Sequence, residues 1–453
     1  VALWWRLIPA LHAEPADLLL TARYVVTMAP QRPVIENGAV AVRGNRIAAA
    51  GPAAELARRF QAKQHIDRPQ SVLTPGLINT HTHAPMSLFR GIADDLRLQE
   101  WLEKFIFPAE ARNVTPAFVR AGARLACAEM LLSGSTTYTD MYYFEEAIAE
   151  VTKECGMRAI LGQTVIQFPA PDARTPAESL RRAEAFIRKY RDDALITPAV
   201  APHAVYTNSD DTLRQARALA NRYGVPLLIH LSETERENRE IQTRRKMSPT
   251  RLLDSLGVWN GRSLAAHGVW LDDSDLRILK LRGAGLAHCP SSNMKLASGI
   301  APITAMLQLG IPVGLGPDGP AGSNNDFNLF EEMDLAAKLA KVSTRDPQAV
   351  PAAAAFEMAT LGGARALGMQ KEIGSLEAGK RADLITISLA APHATPLYNV
   401  FSQLVYALKG SDVEDVVIDG RVVVRDRRLL TLDVEKVTAE GRRQAERIRS
   451  SMR

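Results

Sequence analysis

Val72-Leu73-Thr74-Pro75-Gly76-Leu77-Ile78-Asn79-Thr80-His81-Thr82-His83 is an apolar run that ends in His-x-His. Side chains of a strand alternate faces with a period of two, so His81 and His83 point the same way and align two imidazoles. Neutral imidazole is the commonest protein ligand for zinc-like ions. Alone the motif is weak, because His-x-His also arises as two solvated turn residues. Three further stretches repeat the pattern. Val225-Pro226-Leu227-Leu228-Ile229 runs into His230-Leu231-Ser232-Glu233, Ser263-Leu264-Ala265-Ala266 into His267-Gly268, and Ile311-Pro312-Val313-Gly314-Leu315-Gly316-Pro317 into Asp318-Gly319. Any one could be a hydrogen-bonded histidine at a strand end or an Asp capping the next helix. Four together point to a barrel of parallel strands, whose C-terminal ends all converge on one face where an active site is built.

The rest of the chain supports that architecture. Strand-like segments around Ile78, Thr137, Ile160, Ala199, Leu228, Ala265, Leu286 and Val313 are separated by helical patterns such as Ala117 to Leu132, Ser179 to Tyr190 and Thr212 to Tyr223, the signature of repeated βα units. At 453 residues the chain exceeds the roughly 250 of a bare barrel and leaves room for a second domain. Before the barrel, Leu18-Leu19-Leu20, Tyr24 to Met28 and Ala39 to Val42 alternate as antiparallel strands, punctuated by Glu36-Asn37-Gly38 and Arg43-Gly44-Asn45. Comparable strands return at Ala382 to Ile387 and Val413 to Val424, with Asp419-Gly420 as a hairpin turn. The expected fold is therefore α/β: a distorted (β/α)8 TIM barrel over 74–373, a small β-sandwich domain composed of 14–73 and 374–432, and a C-terminal helix over 433–453.

Composition excludes several function classes. Hydrophobic residues make up 46% and charged ones 23%, as in an ordinary globular protein, so disorder is not expected. Net charge is only +5 and the basic residues are spread, apart from the tail Gly441-Arg442-Arg443 to Arg453, read as a solvated helix; no nucleic-acid partner is expected. Cys127, Cys155 and Cys289 show no C-x-x-C spacing, which argues against a disulfide framework or a thiolate zinc site, and Cys289 reads as a packed thiol. No stretch reaches the ~20 apolar residues of a membrane span. The apolar segment Val1 to Ala13 leaves two readings of localisation: cytoplasmic, or exported if the segment is the remnant of a signal. A homo-oligomer is compatible with the sequence, which is silent on its order.

Together, Pro75-Gly76-Leu77-Ile78-Asn79-Thr80-His81-Thr82-His83, His230, Glu233, His267, Asp318 and the late Leu376-Glu377-Ala378-Gly379-Lys380-Arg381-Ala382-Asp383-Leu384 resemble the amidohydrolase superfamily over nearly the whole chain. The resemblance lies with its nucleoside and nucleobase deaminase branch. His83-Ala84-Pro85-Met86, Arg90-Gly91, Trp101-Leu102, Pro108-Ala109-Glu110, Asp140-Met141-Tyr142 and Ser323-Asn324-Asn325 are similar to the 5-methylthioadenosine/S-adenosylhomocysteine deaminases. The resemblance implies one divalent metal ion held by His81, His83, His230 and Asp318. Three neutral nitrogens and one carboxylate suit zinc, with iron and manganese as alternatives. An open coordination position would lower the pKa of bound water and deliver hydroxide to an electrophilic ring carbon.

The family pattern makes Glu233 the proton shuttle to the ring nitrogen; the lesser alternative is a Glu that caps the next helix at this turn. It makes His267 the partner of the attacking hydroxide and Asp318 a second proton carrier. Many such barrels hold two ions bridged by a carboxylated lysine on the fourth strand; here that strand end reads Val200-Ala201-Pro202-His203-Ala204, which implies a mononuclear site. By the same resemblance Glu110 would accept hydrogen bonds from two ribose hydroxyls, Trp101 would pack near the ribose and its 5′ substituent, His203 would touch purine and sugar, and Ser323 would line the pocket. Where some relatives carry an arginine this chain has Gln163, leaving Arg174 as the cation for a charged tail, and one lost guanidinium removes a bidentate clamp. The implied substrate is a small nucleoside: 5′-methylthioadenosine, S-adenosylhomocysteine or adenosine. The alternatives are another heterocycle such as guanine, cytosine or a triazine, and a silent barrel with a structural role.

Overall fold

The computed structural model describes residues 13–452, and the apolar N-terminal segment lies outside them except for Ala13. Four strands come first: β1 (Glu14–Val26), β2 (Val34–Arg43), β3 (Arg46–Pro52) and β4 (Phe60–Pro75). Eight follow in βα alternation: β5 (Leu77–Thr82), β6 (Ser135–Tyr142), β7 (Arg158–Val165), β8 (Ile196–Pro202), β9 (Leu227–Leu231), β10 (Ser263–His267), β11 (Gly285–His288) and β12 (Val313–Leu315). These eight close into a parallel barrel in sequence order, sealed where Leu315 of β12 pairs with Asn79 of β5. Every residue of β5, β6 and β7 is buried, as expected of strands covered by side chains inside and helices outside.

The barrel helices start earlier than apolar spacing alone suggests, because polar caps precede the periodic residues. Helix Pro116–Leu132 is capped by the Thr115 side chain, Pro176–Tyr190 by Thr175 and Asp210–Tyr223 by Ser209, each accepting from a backbone N–H of the first turn. In the first two, proline occupies the opening turn, where its missing N–H costs nothing.

The four leading strands join β13 (Leu384–Ser388), β14 (Val413–Ile418), β15 (Arg421–Arg425) and β16 (Arg428–Leu429) in one mixed sheet, ordered β16-β15-β14-β13-β4-β1-β2-β3. The chain ends meet where β13 runs antiparallel to β4, Leu384 opposite Pro75 and Thr386 opposite Leu73. One apolar cluster on this sheet draws Leu20, Val40, Ile66, Leu384 and Val417 from both ends of the chain; a second lies under Leu56 of the short helix Ala53–Arg59. Asp419-Gly420 and Arg43-Gly44-Asn45 are the hairpin turns expected, Asp419 and Gly420 both at positive φ. Glu36-Asn37-Gly38 is not a turn. It lies inside β2, where Asn37 at φ 45° drops out of the pairing between Glu36 and Gly38, an irregularity the strand absorbs.

Buried charge ties barrel to sheet. Arg158, at the start of β7, pairs with Asp383 at 2.7 Å and Asp419 at 3.1 Å. Removing Arg158 would leave buried Asp383 without its cation, at a cost of about 3–5 kcal/mol. The C-terminal helix Val434–Ser451 is not simply solvated: Val437, Gly441, Gln444 and Ile448 are buried on the face that packs on helix Pro116–Leu132, leaving the arginines outward. No described helix is long and apolar enough to cross a membrane.

Candidate active site

The strand ends deliver the histidines and Asp318 to one point. His81 and His83 leave β5 and the loop after it, His230 lies in β9, His267 ends β10 and Asp318 follows β12. Two of these turns take a left-handed backbone, with His267 at φ 73° and Asp318 at φ 65°, a conformation uncommon for residues other than glycine. Close approach also needs Gly316, since a Cβ there would sit 2.7 Å from the His81 backbone nitrogen.

The cluster has the dimensions of an ion cage. Asp318 Oδ1 is 3.2 Å from His81 Nε2 and 3.3 Å from His83 Nε2, and His83 Nε2 is 3.3 Å from His230 Nε2. A tetrahedron with metal–ligand bonds of about 2.0–2.1 Å has edges of about 3.3–3.4 Å. The outer nitrogens are already spoken for: His83 Nδ1 donates to the Met141 carbonyl at 2.7 Å and His230 Nδ1 to the His203 carbonyl at 2.8 Å. Such contacts fix the tautomer and turn each Nε2 lone pair inward, where two lone pairs facing one another repel unless a cation separates them. His81 Nε2 is buried, facing Asp318 Oδ1 without hydrogen-bond geometry, and burial, opposed by that carboxylate, pulls this imidazole down to about 4. Burial would raise Asp318, but the flanking His81 and His83 hold it well below the usual range as a carboxylate. Ser292 Oγ donates to its other oxygen at 2.8 Å. These residues fit a divalent metal ion. His267 belongs to the same knot of donor atoms, within 4.8 Å of His81, His230 and Asp318.

Around the cage lie groups suited to proton transfer. Glu233 is buried, and desolvation raises its carboxyl; its Oε2 stands 3.8 Å from His267 Nε2. Glu233 does not act as a helix cap, since Thr234 caps the following helix. His267 Nδ1 is held at 3.0 Å by Asn293 Oδ1. Buried Glu237 accepts the backbone N–H groups of Ser232 and Glu233 at 3.2 and 2.9 Å, bracing the turn.

An inner chamber with about 50 Å³ of free space opens on the cage and is lined by Trp101, Glu110, His203, Glu233 and His267, among others. Trp101 is fixed by its Nε1–H, which donates to the Ala321 carbonyl at 2.8 Å. Burial pushes Glu110 up to about 7 against the pull of the Tyr142 hydroxyl and the neighbouring His83. His203 is pulled down to about 3 by burial and then by His83, so it is a neutral ring, contacting Thr207 Oγ1 at 3.1 Å. Outside lies a cavity of about 970 Å³ that shares Leu102, Phe107, Glu110, Tyr143 and Tyr206 with the inner chamber and carries Arg174 on its wall.

Two expected substrate contacts stand elsewhere. Gln163 donates to Asp172 Oδ2 at 2.8 Å and lines a separate cavity between barrel helices, because its place on β7 turns it away from the barrel mouth. Ser323 is buried with its hydroxyl donating to the Gly319 carbonyl at 2.6 Å; it shapes the loop after Asp318 and lines neither chamber. Ser292 and Asn293 are site residues not expected from the sequence, although they sit in Cys289-Pro290-Ser291-Ser292-Asn293 directly after β11, a strand end like those of β5, β9, β10 and β12. Cys289 is buried with its thiol toward the Ala287 carbonyl.

A closed parallel barrel with a His/Asp cage at its C-terminal mouth and a flanking terminal sheet defines the class of metal-dependent barrel hydrolases. Residues 72–423 match the Amidohydrolase family, and the chain belongs to that family. Residues 38–60, in the terminal sheet, also match an imidazolonepropionase-like composite domain of bacteria. The chain is 47% identical over 440 residues to 5-methylthioadenosine/S-adenosylhomocysteine deaminase 1 of Syntrophus aciditrophicus, covering 97% of this chain and 99% of that one. It is 42% identical over 435 residues to a 5′-deoxyadenosine deaminase of Methanosarcina mazei, covering 96% and 98%. Among solved structures, an adenosine deaminase from Xanthomonas campestris with bound zinc superposes with a TM-score of 0.95 at 41% identity, covering 97% of this chain and all of that one.

Proposed function

We propose that this chain is a zinc-dependent deaminase of adenine nucleosides, converting 5′-methylthioadenosine, S-adenosylhomocysteine or adenosine to the inosine analogue and ammonia. Glu110 carries this reading: a buried carboxylate facing both chambers beside the cage suits a ribose diol, whereas a free base would leave it without that partner. His81, His83, His230 and Asp318 would hold the ion. When bound, the ion supplies a Lewis acid that makes water nucleophilic near neutral pH.

The residues of the chain do the remaining work. Glu233, its carboxyl raised by burial, delivers a proton to purine N1 as water adds at C6. His267 accepts a hydrogen bond from the attacking water through Nε2, held in place by Asn293. Asp318 takes the proton released from that water and passes it to the 6-amino group; as the C6–N bond breaks and ammonia leaves, the C6 hydroxyl forms the carbonyl and returns its proton to Glu233. Trp101 and His203 wall the sugar side of the chamber, and Arg174 stands in the outer cavity for a charged 5′ tail.

The test is ammonia release from 5′-methylthioadenosine, S-adenosylhomocysteine, adenosine, guanine and cytosine, compared as kcat/KM, with metal content determined on the same sample. Nucleosides should exceed free bases, and zinc should exceed iron or manganese in both content and reconstituted activity. Guanine or cytosine leading would replace this reading with that of a nucleobase deaminase.

A further inference from the structure

The outer cavity contains an aromatic pair with no part in the chemistry described so far. Phe168 comes from the segment after β7 and is 37% exposed; it meets Phe107 edge to face, with ring centroids 5.2 Å apart and planes at 64°. Both rings line the outer cavity, and Phe107 also lines the inner chamber. A single exposed phenylalanine means little on a protein surface, but this one is held in place. Gln167 N–H donates to the Thr207 carbonyl at 2.9 Å, Ala170 N–H donates to the Ala173 carbonyl at 2.8 Å, and Pro169 and Pro171 restrict the backbone between them. The pair is an apolar surface that joins the outer cavity to the catalytic chamber through Phe107.

Its position relative to Glu110 gives it a ligand. With the purine at the cage and the ribose hydroxyls on Glu110, the shared wall is crossed by whatever C5′ carries. Resting on the function proposed above, we propose that Phe107 and Phe168 select the 5′ substituent, favouring an apolar thioether over a hydroxyl. A thioether sulfur is polarisable and seats well at an aromatic edge, whereas a hydroxyl loses its hydration against two hydrocarbon rings that return no hydrogen bond. Charged groups of the cavity, Arg174 among them, stand on the same wall for tails that extend further.

The experiment uses the zinc-loaded protein and Phe168→Ala, with Phe168→Leu as the conservative variant. For Phe168→Ala, kcat/KM for 5′-methylthioadenosine should fall about tenfold, the lower end of what a methylene-sized contact is worth in an apolar pocket. The loss should lie in KM, while adenosine stays within about twofold; Phe168→Leu should recover most of the difference. Equilibrium binding of 5′-methylthioinosine should weaken about tenfold in Phe168→Ala, and that of inosine should not. Parallel loss on both nucleosides, or an unchanged ratio, would overturn the proposal and leave the deaminase reading intact. A wild-type protein inactive on every adenine nucleoside would instead bring down both.

Discussion

The inner chamber and the cavity outside it differ in what builds them. The inner chamber rests on strand ends: its cage residues are buried or, for His83, nearly so, the outer nitrogens of His83 and His230 are held by backbone carbonyls and that of His267 by Asn293, and His267 and Asp318 sit on left-handed backbone. The outer cavity is walled by loops and helix flanks, with exposed Arg174, half-exposed Phe168 and ion pairs such as Arg236–Glu240 that face water. The difference separates two jobs. A reaction that needs donors placed to a few tenths of an ångström is given to the rigid strands, while the choice among substrates is left to connections that can vary without disturbing the barrel.

The strongest way to break this division is to remove the ion. Dialysis against a chelator should abolish ammonia release and lower the thermal midpoint, with both restored by added zinc, because an ion bound only by the native cage stabilises the fold. Full activity of metal-free protein would dismantle the cage reading. Next in size is Glu233→Gln, which should keep metal content and folding but lower turnover at least about a hundredfold; near-normal turnover would remove Glu233 from the mechanism. At the boundary of the two regions, Glu110→Ala should cost roughly 10- to 100-fold in kcat/KM for nucleosides, the scale of a lost hydrogen bond to a charged group. Its metal content should be unchanged, and an equal loss on a free base would show that Glu110 does not read ribose. The smallest effect is expected at Gln163→Leu. Nucleoside kcat/KM should change less than about twofold, with a stability loss of about 1–2 kcal/mol as Asp172 loses its side-chain donor and keeps only the Phe144 N–H. A tenfold drop on S-adenosylhomocysteine would return Gln163 to the substrate site.

The same division marks how far the residues could be read in order along the chain. His81-Thr82-His83, His230, His267 and Asp318 were visible because each ends a short apolar run, and the closed barrel brings those ends together. Ser292 and Asn293 carried a similar positional signal after β11, but a hydroxyl or an amide gains meaning only once its partner, Asp318 or His267, is known. Gln163 and Ser323 were placed by likeness to relatives, and each turned to a local partner, Asp172 in one case and the Gly319 carbonyl in the other. Glu36-Asn37-Gly38 has the composition of a turn, yet pairing with β1 carries the strand through it. The tail helix kept its arginines outward, but its Val437 and Ile448 face found a neighbour in helix Pro116–Leu132.

Strand alternation, the apolar runs and the residues that end them are local properties, set by the period of the backbone and the burial of one or both faces, so the order of amino acids was enough to bring out the barrel, the terminal strands and the polar residues at the strand ends. Donor separations of 3.2–3.3 Å, the wall shared by the two chambers and the contact of Phe107 with Phe168 join residues far apart in sequence. Those contacts exist only after the barrel has closed, because no local preference of either partner encodes the distance between them.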